Sequence, residues 1–109
     1  MHELALTQDM VALVCERAEG ARVRRVVVEI GRLSLVAPDA VRFCFGLCAE
    51  GTAAEGAALE ILEPAGRGRC RACGMDVELE SPLDACPCGS PDLEWVSGDA
   101  FRVREMEVG

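Results

Sequence analysis

No apolar run in this 109-residue chain approaches the roughly 18 residues needed to cross a bilayer, although half of its residues are hydrophobic. A membrane-spanning role is therefore not expected. The opening residues, MHELALTQDM, lack the basic-then-apolar layout of a secretory leader, so the expected compartment is the cytoplasm. Positive charge is scarce as well. Nineteen acids face 11 bases, for a formal net charge of -8. Long-range repulsion from phosphates opposes nucleic-acid binding unless a local basic patch overrides it, and no such patch is evident. Between Pro64 and Gly98 the bases Arg67, Arg69 and Arg71 face six acids, a net of -3. Internal repeats and low-complexity tracts are also missing, and histidine occurs only once, at position 2.

The length suits one compact core with a small appendage. From Leu4 to Glu19, Leu6, Met10, Leu13, Val14 and Ala18 recur mostly at spacings of three and four, and Gly20 follows where a helix would end. The stretch RVRRVVVEIG alternates roughly as a strand, with Val26, Val28 and Ile30 on a buried face and Arg25, Val27 and Glu29 on the other. APDAVRFCFGLCAEG predicts a second helix: Pro38 suits its first position, Asp39 suits the positive end of its dipole, and Val41, Cys44, Phe45 and Cys48 form its apolar stripe. Residues 57–63 read as a second strand, and Pro64, Gly66 and Gly68 mark a boundary. After Gly98, AFRVREMEV reads as a last strand in which Phe101 and Val103 are out of phase with Met106 and Val108, as a bulge or two-sided burial would require. The expected fold is α+β: a small mixed three-stranded sheet with two helices, interrupted by an inserted β-rich module resembling a zinc ribbon. Residues 1–64 and 99–109 would form the first unit and 65–98 the second.

The inserted segment carries the clearest chemistry. Cys70 and Cys73 stand two residues apart in RCRACGM, and Cys86 and Cys88 flank a proline in DACPCGS. In a chain without an export signal such thiols are expected reduced, and paired thiols suit a metal. Zinc(II) takes four thiolates tetrahedrally and has no redox chemistry of its own. Gly74 lets the first turn close tightly, residues i and i+2 of an extended chain point the same way, and Pro87 fixes the backbone between the second pair. Core candidates in the segment are few, mainly Val77, Leu79, Leu83, Leu93 and Trp95, so metal binding is expected to supply much of its folding energy. A rubredoxin-like iron site is the chemical competitor. A four-cysteine zinc site has no open position for water or substrate, so no enzyme is expected. Cys15, Cys44 and Cys48 read as small hydrophobes of helical stripes, and a soft metal shared by Cys44 and Cys48 is the lesser reading.

At the other end, the α-amine of Met1, the amide nitrogen of His2 and the imidazole of His2 lie within one chelate, with the carboxylate of Glu3 nearby. Nickel(II) and copper(II) favour square-planar nitrogen sites of this kind. Taken with MHELALTQ, the stretches VVVEIGRLSLVAPDAVRFCF, EGTAAEGAALEI and GDAFRVREMEV resemble the HypA family of hydrogenase maturation proteins over essentially the whole chain. The resemblance implies a nickel metallochaperone, with nickel(II) as transferable cargo on Met1, His2 and Glu3, and a structural zinc(II) on Cys70, Cys73, Cys86 and Cys88. It also implies two partners, a HypB-like hydrogenase maturation GTPase and the large-subunit precursor of [NiFe] hydrogenase, with urease served by some relatives. The chain departs from the family in its second cysteine pair, CPC instead of CPxC. Self-association is expected to be nil or weak, a monomer or weak homodimer. A zinc-ribbon interaction module without nickel traffic is the alternative.

Overall fold

The computed structural model describes residues 2–109 and follows the order α1 (Glu3–Ala18), β1 (Val23–Ile30), α2 (Pro38–Ala49), β2 (Ala58–Leu62), β3 (Gly66–Cys70), β4 (Asp76–Leu79), β5 (Leu93–Ser97) and β6 (Phe101–Val108). Strand β1 is the centre of a mixed sheet ordered β2-β1-β6, parallel to β2 and antiparallel to β6. The helices pack against each other and cover one face of that sheet, α1 over β1 and β6, α2 over β2. Strands β3, β4 and β5 form a second, antiparallel sheet ordered β4-β3-β5. The molecule measures 52 × 23 × 16 Å, with a radius of gyration of 16.7 Å against the roughly 13 Å of a spherical chain of this length, because the sheets lie end to end.

The main core forms where the helical stripes meet the apolar face of β1. Met10, Val11 and Val14 of α1 and Val41 and Phe45 of α2 close over Val26, Val28 and Ile30. The expectation of one buried face on β1 is exceeded, since Val27 is 2 % exposed and Glu29 8 %. As the middle strand, β1 is walled on both edges, which shields even its helix-free side. Glu29 tolerates this because Arg104 Nη1 lies 2.9 Å and Arg102 Nε 3.4 Å from its carboxylate. The Arg104 hydrogen bond, aided by Arg102, holds the Glu29 carboxyl below its ordinary range against the effect of burial. The phase break in β6 is a bulge: Glu105 opposes Val27 and Val103 opposes Val28, so Arg104 has no residue of β1 opposite it in the register and Met106 returns to the core side.

The second sheet was less legible. GRGRC, which follows Pro64 and carries two of the boundary glycines, is its central strand β3, within the segment expected to be β-rich. Its glycines are required by packing, because a Cβ at Gly66 would overlap the Leu33 side chain and one at Gly68 would come within 3.0 Å of Leu79 Cδ1. The small core contains Cys70, Val77, Leu79 and Cys86, with Leu93 at its margin, and a residue from outside the segment, Leu33. Leu83 and Trp95, expected in that core, are 93 % and 43 % exposed. Leu83 lies in the turn after β4 and Trp95 on the edge strand β5, both outside the small apolar cluster.

Leu33 reaches the small core because the chain continues past β1 between the two connections. Arg32 N–H bonds to Pro64 O at 3.0 Å, Leu33 N–H to Gly98 O at 2.9 Å, and Gly31 N–H to Ala100 O at 2.9 Å. Arg32 also donates to Glu63 O at 2.9 Å and pairs with Glu80. Backbones pass so closely here that a Cβ at Gly31 would overlap the Gly98 carbonyl, and Gly98 itself adopts a φ of 96°.

Candidate metal centre

The four predicted thiols converge on one point. Cys70 ends β3, Cys73 lies in the turn before β4, and Cys86 and Cys88 lie in the long connection between β4 and β5. Their Sγ atoms all fall within 4.8 Å of one another, with Cys70 to Cys88 at 3.7 Å and Cys73 to Cys86 at 3.6 Å. A tetrahedral ion with bonds of about 2.3 Å to sulfur separates its ligands by roughly 3.8 Å, so the cage fits such an ion. No other group of three or more metal-capable side chains occurs among the described residues.

Two turns of the same construction hold the sulfurs. In the first, Cys73 N–H points at Cys70 Sγ (3.4 Å), Gly74 N–H bonds to Cys70 O (2.8 Å), and Cys70 N–H bonds to Met75 O (2.9 Å). In the second, Cys88 N–H points at Cys86 Sγ (3.5 Å), Gly89 N–H bonds to Cys86 O (2.8 Å), and Cys86 N–H bonds to Ser90 O (3.0 Å). The second is the first with one residue removed, each turn ending on a left-handed glycine, φ 77° at Gly74 and 97° at Gly89. The shortened CPC pair therefore keeps its amide-to-sulfur contact. Cys70 and Cys86 are buried, while Cys73 and Cys88 face solvent.

The cage's electrostatics call for a cation. The Cys73 N–H in particular pulls the Cys70 thiol down to about 6. Cys86 receives the Cys88 N–H, yet burial and the neighbouring sulfurs outweigh it and push that thiol up to about 12. One thiolate is favoured and further ones repel it; a divalent ion among them reverses that balance.

The N-terminal candidates are placed differently. Met1 lies outside the described residues. His2 is exposed and caps α1 through its carbonyl, which accepts the Leu6 N–H at 3.0 Å. Glu3 is 8 % exposed, and its Oε2 accepts the Ala37 N–H at 3.0 Å, tying the start of α1 to the start of α2. Thr7 Oγ1 donates to Glu3 O at 2.6 Å. Cys15, Cys44 and Cys48 are half-buried on the helices, burial pushes the Cys48 thiol up, and no third donor joins Cys44 and Cys48 among the described residues. Sequence reasoning did not find Leu33, an isolated apolar residue in a turn, which neither helical nor strand periodicity marks.

A family model described as hydrogenase/urease nickel incorporation, metallochaperone, hypA, matches residues 1–108. The chain belongs to the HypA family. A hydrogenase maturation factor HypA of Nostoc punctiforme is 51 % identical over 108 residues, covering 99 % of this chain and 96 % of the relative. That of Geobacter sulfurreducens is 46 % identical over 109 residues and 99 % of both chains. The solution structure of the Ni metallochaperone HypA from Helicobacter pylori superposes with a TM-score of 0.71 at 24 % identity, over 99 % of this chain and 97 % of that one, which shows the HypA fold. The relatives are named as maturation factors and chaperones, not as enzymes. No helix among the described residues is long and apolar enough to cross a membrane.

Proposed function

We propose that this HypA-family protein is a cytoplasmic nickel carrier, binding nickel(II) at its N-terminus and releasing it for maturation of [NiFe] hydrogenase. The observation that carries the reading is the contrast between neighbours: His2 is exposed at the head of α1, while Glu3 is fixed against Ala37. An imidazole that is accessible on an anchored helix start suits a site that must load and unload. The ligands we assign are the α-amine of Met1 and the amide and imidazole nitrogens of His2, with Glu3 at the margin. Protonation of His2 or capture by a partner removes ligands one at a time. The receiving partners would be a HypB-like GTPase and the hydrogenase large-subunit precursor.

The four-cysteine cage is assigned to structural zinc(II), which the donor set suits better than a transferable metal because all four ligand positions are filled. Residues 65–98 form the zinc-binding unit in this reading, and residues 1–64 with 99–109 the nickel-binding unit. Bound there, zinc would hold the two cysteine turns together and neutralise their charge.

Titration of untagged, zinc-loaded protein with nickel(II) near neutral pH, beside His2→Ala and followed by ligand-field absorbance, tests the carrier reading. One equivalent bound by the parent and lost in the variant is expected. Equal binding by both, or none by either, would overturn the assignment and leave a zinc-stapled interaction module. An extension placed before Met1 should abolish nickel binding in the same way.

A further inference from the structure

Strand β6 is eight residues long and, among the described residues, pairs only with β1, so its outer edge carries unpaired backbone groups. Exposed edges of this length normally recruit another strand or are blunted against it. Between this edge and α1 runs a groove of about 620 Å³ lined by Leu13, Arg17 and the strand from Phe101 to Val108. Leu13 remains 41 % exposed and Val108 46 %.

The order of residues along the edge, FRVREMEV, is complementary to its own reverse. Laid antiparallel on a copy of itself, Phe101 meets Val108, Arg102 meets Glu107, Val103 meets Met106 and Arg104 meets Glu105, each pair twice. In a regular strand such a pairing fails, because adjacent residues point to opposite faces and cannot oppose each other across a two-fold axis. The bulge removes the obstacle. Arg104 is the extra residue, and it reaches Glu29 on the same side as Arg102. Phe101, Val103 and Met106 all pack against the main core, on the helix side. Every opposed pair then shares a face.

We propose that this edge is a self-pairing surface, on which a second copy of the chain adds its own β6 across a two-fold axis to form a continuous six-stranded sheet. Opposite charges directly across antiparallel strands attract, and apolar pairs fill the helix side. Helix α1 supplies a second, independent match. It runs along β6 with Asp9 near the Phe101 end, Arg17 near the Val108 end and Leu13 between. The same axis brings Leu13 toward Leu13 of the second copy and Asp9 toward Arg17. The surface is isologous and closes at two chains, leaving the two cysteine cages at opposite ends of the dimer.

Sedimentation velocity of the full-length, zinc-loaded protein over a wide concentration range tests this. Mass should rise from one chain toward two, and less so at high salt. Glu105→Arg with Glu107→Arg sets arginine against arginine at four places and should weaken association about tenfold or more. Leu13→Glu should weaken it as well, whereas Phe43→Glu, on an exposed position of α2, should leave it unchanged. Hydrogen exchange at β6 amides should slow as concentration rises. Circular dichroism and zinc content report whether each variant is folded, and Leu13→Glu carries the test if the double variant is not. A chain that stays monomeric at every concentration, or a dimer indifferent to both the charge reversal and Leu13→Glu, overturns the proposal.

Discussion

Single residues in this molecule hold more than their own element. Glu3 ties the start of α1 to Ala37, and Leu33, from a turn after β1, sits 2 % exposed in the core of the second sheet. Truncating Leu33 leaves a void among Leu79, Cys70 and Cys86 that the small core has little material to refill, so Leu33→Ala should cost about 2–5 kcal/mol in urea denaturation. A loss below about 1 kcal/mol would show that the contact is dispensable. Glu29 makes a pH prediction. Its folded-state carboxyl lies below the ordinary glutamate value, held there first by the Arg104 hydrogen bond. Its contribution is therefore fully present above that value and lost as pH falls through the depressed folded-state value. Glu29→Gln should lower stability at neutral pH, and the parent's advantage should vanish in acid once pH has fallen through the depressed folded-state value. An advantage that persists unchanged at low pH would contradict the assigned pairing.

Among the elements, β6 and the cysteine turns both turn on one residue more or less. Arg104 is the residue that lets Phe101 and Val103 share the core side with Met106. Deleting it should force either a register slip or the exposure of Met106, at about 2 kcal/mol or more, measurable as a lowered thermal midpoint. The shortened cysteine turn makes the opposite prediction. Because its amide-to-sulfur and glycine contacts repeat those of the longer turn, inserting one residue between Pro87 and Cys88 should retain one bound metal per chain by elemental analysis. Cys86→Ser, by contrast, removes a buried sulfur and should lose it. These cases also mark what the pattern of residues allows one to read. The phase break in FRVREMEV announces the bulge, and paired cysteines announce the cage. Nothing in GRGRC announces that it is the central strand of the second sheet, because the Leu33 side chain that Gly66 packs against comes from elsewhere in the chain.

On the scale of the whole molecule, two small sheets are joined end to end through Gly31, Leu33, Pro64 and Gly98. The second core holds few apolar residues besides two of its own cysteines, so it depends on the cage in a way the main core does not. Stripping metal with a strong chelator should abolish hydrogen-exchange protection in β3, β4 and β5 while β1 and β2 stay protected. Loss of protection throughout would show that the two cores fold as one.

The sequence by itself determined the main core and the four sulfurs, because helical stripes and paired thiols are local patterns with local physical meaning. Only the tertiary structure decided that Leu33 completes the second core, that Leu83 and Trp95 stay outside it, that Val27 and Glu29 are shielded on a helix-free face, and that the strand running from Phe101 leaves a self-complementary edge open. Burial and pairing of this kind are set by which distant segments arrive at a residue, and no spacing along the chain records that.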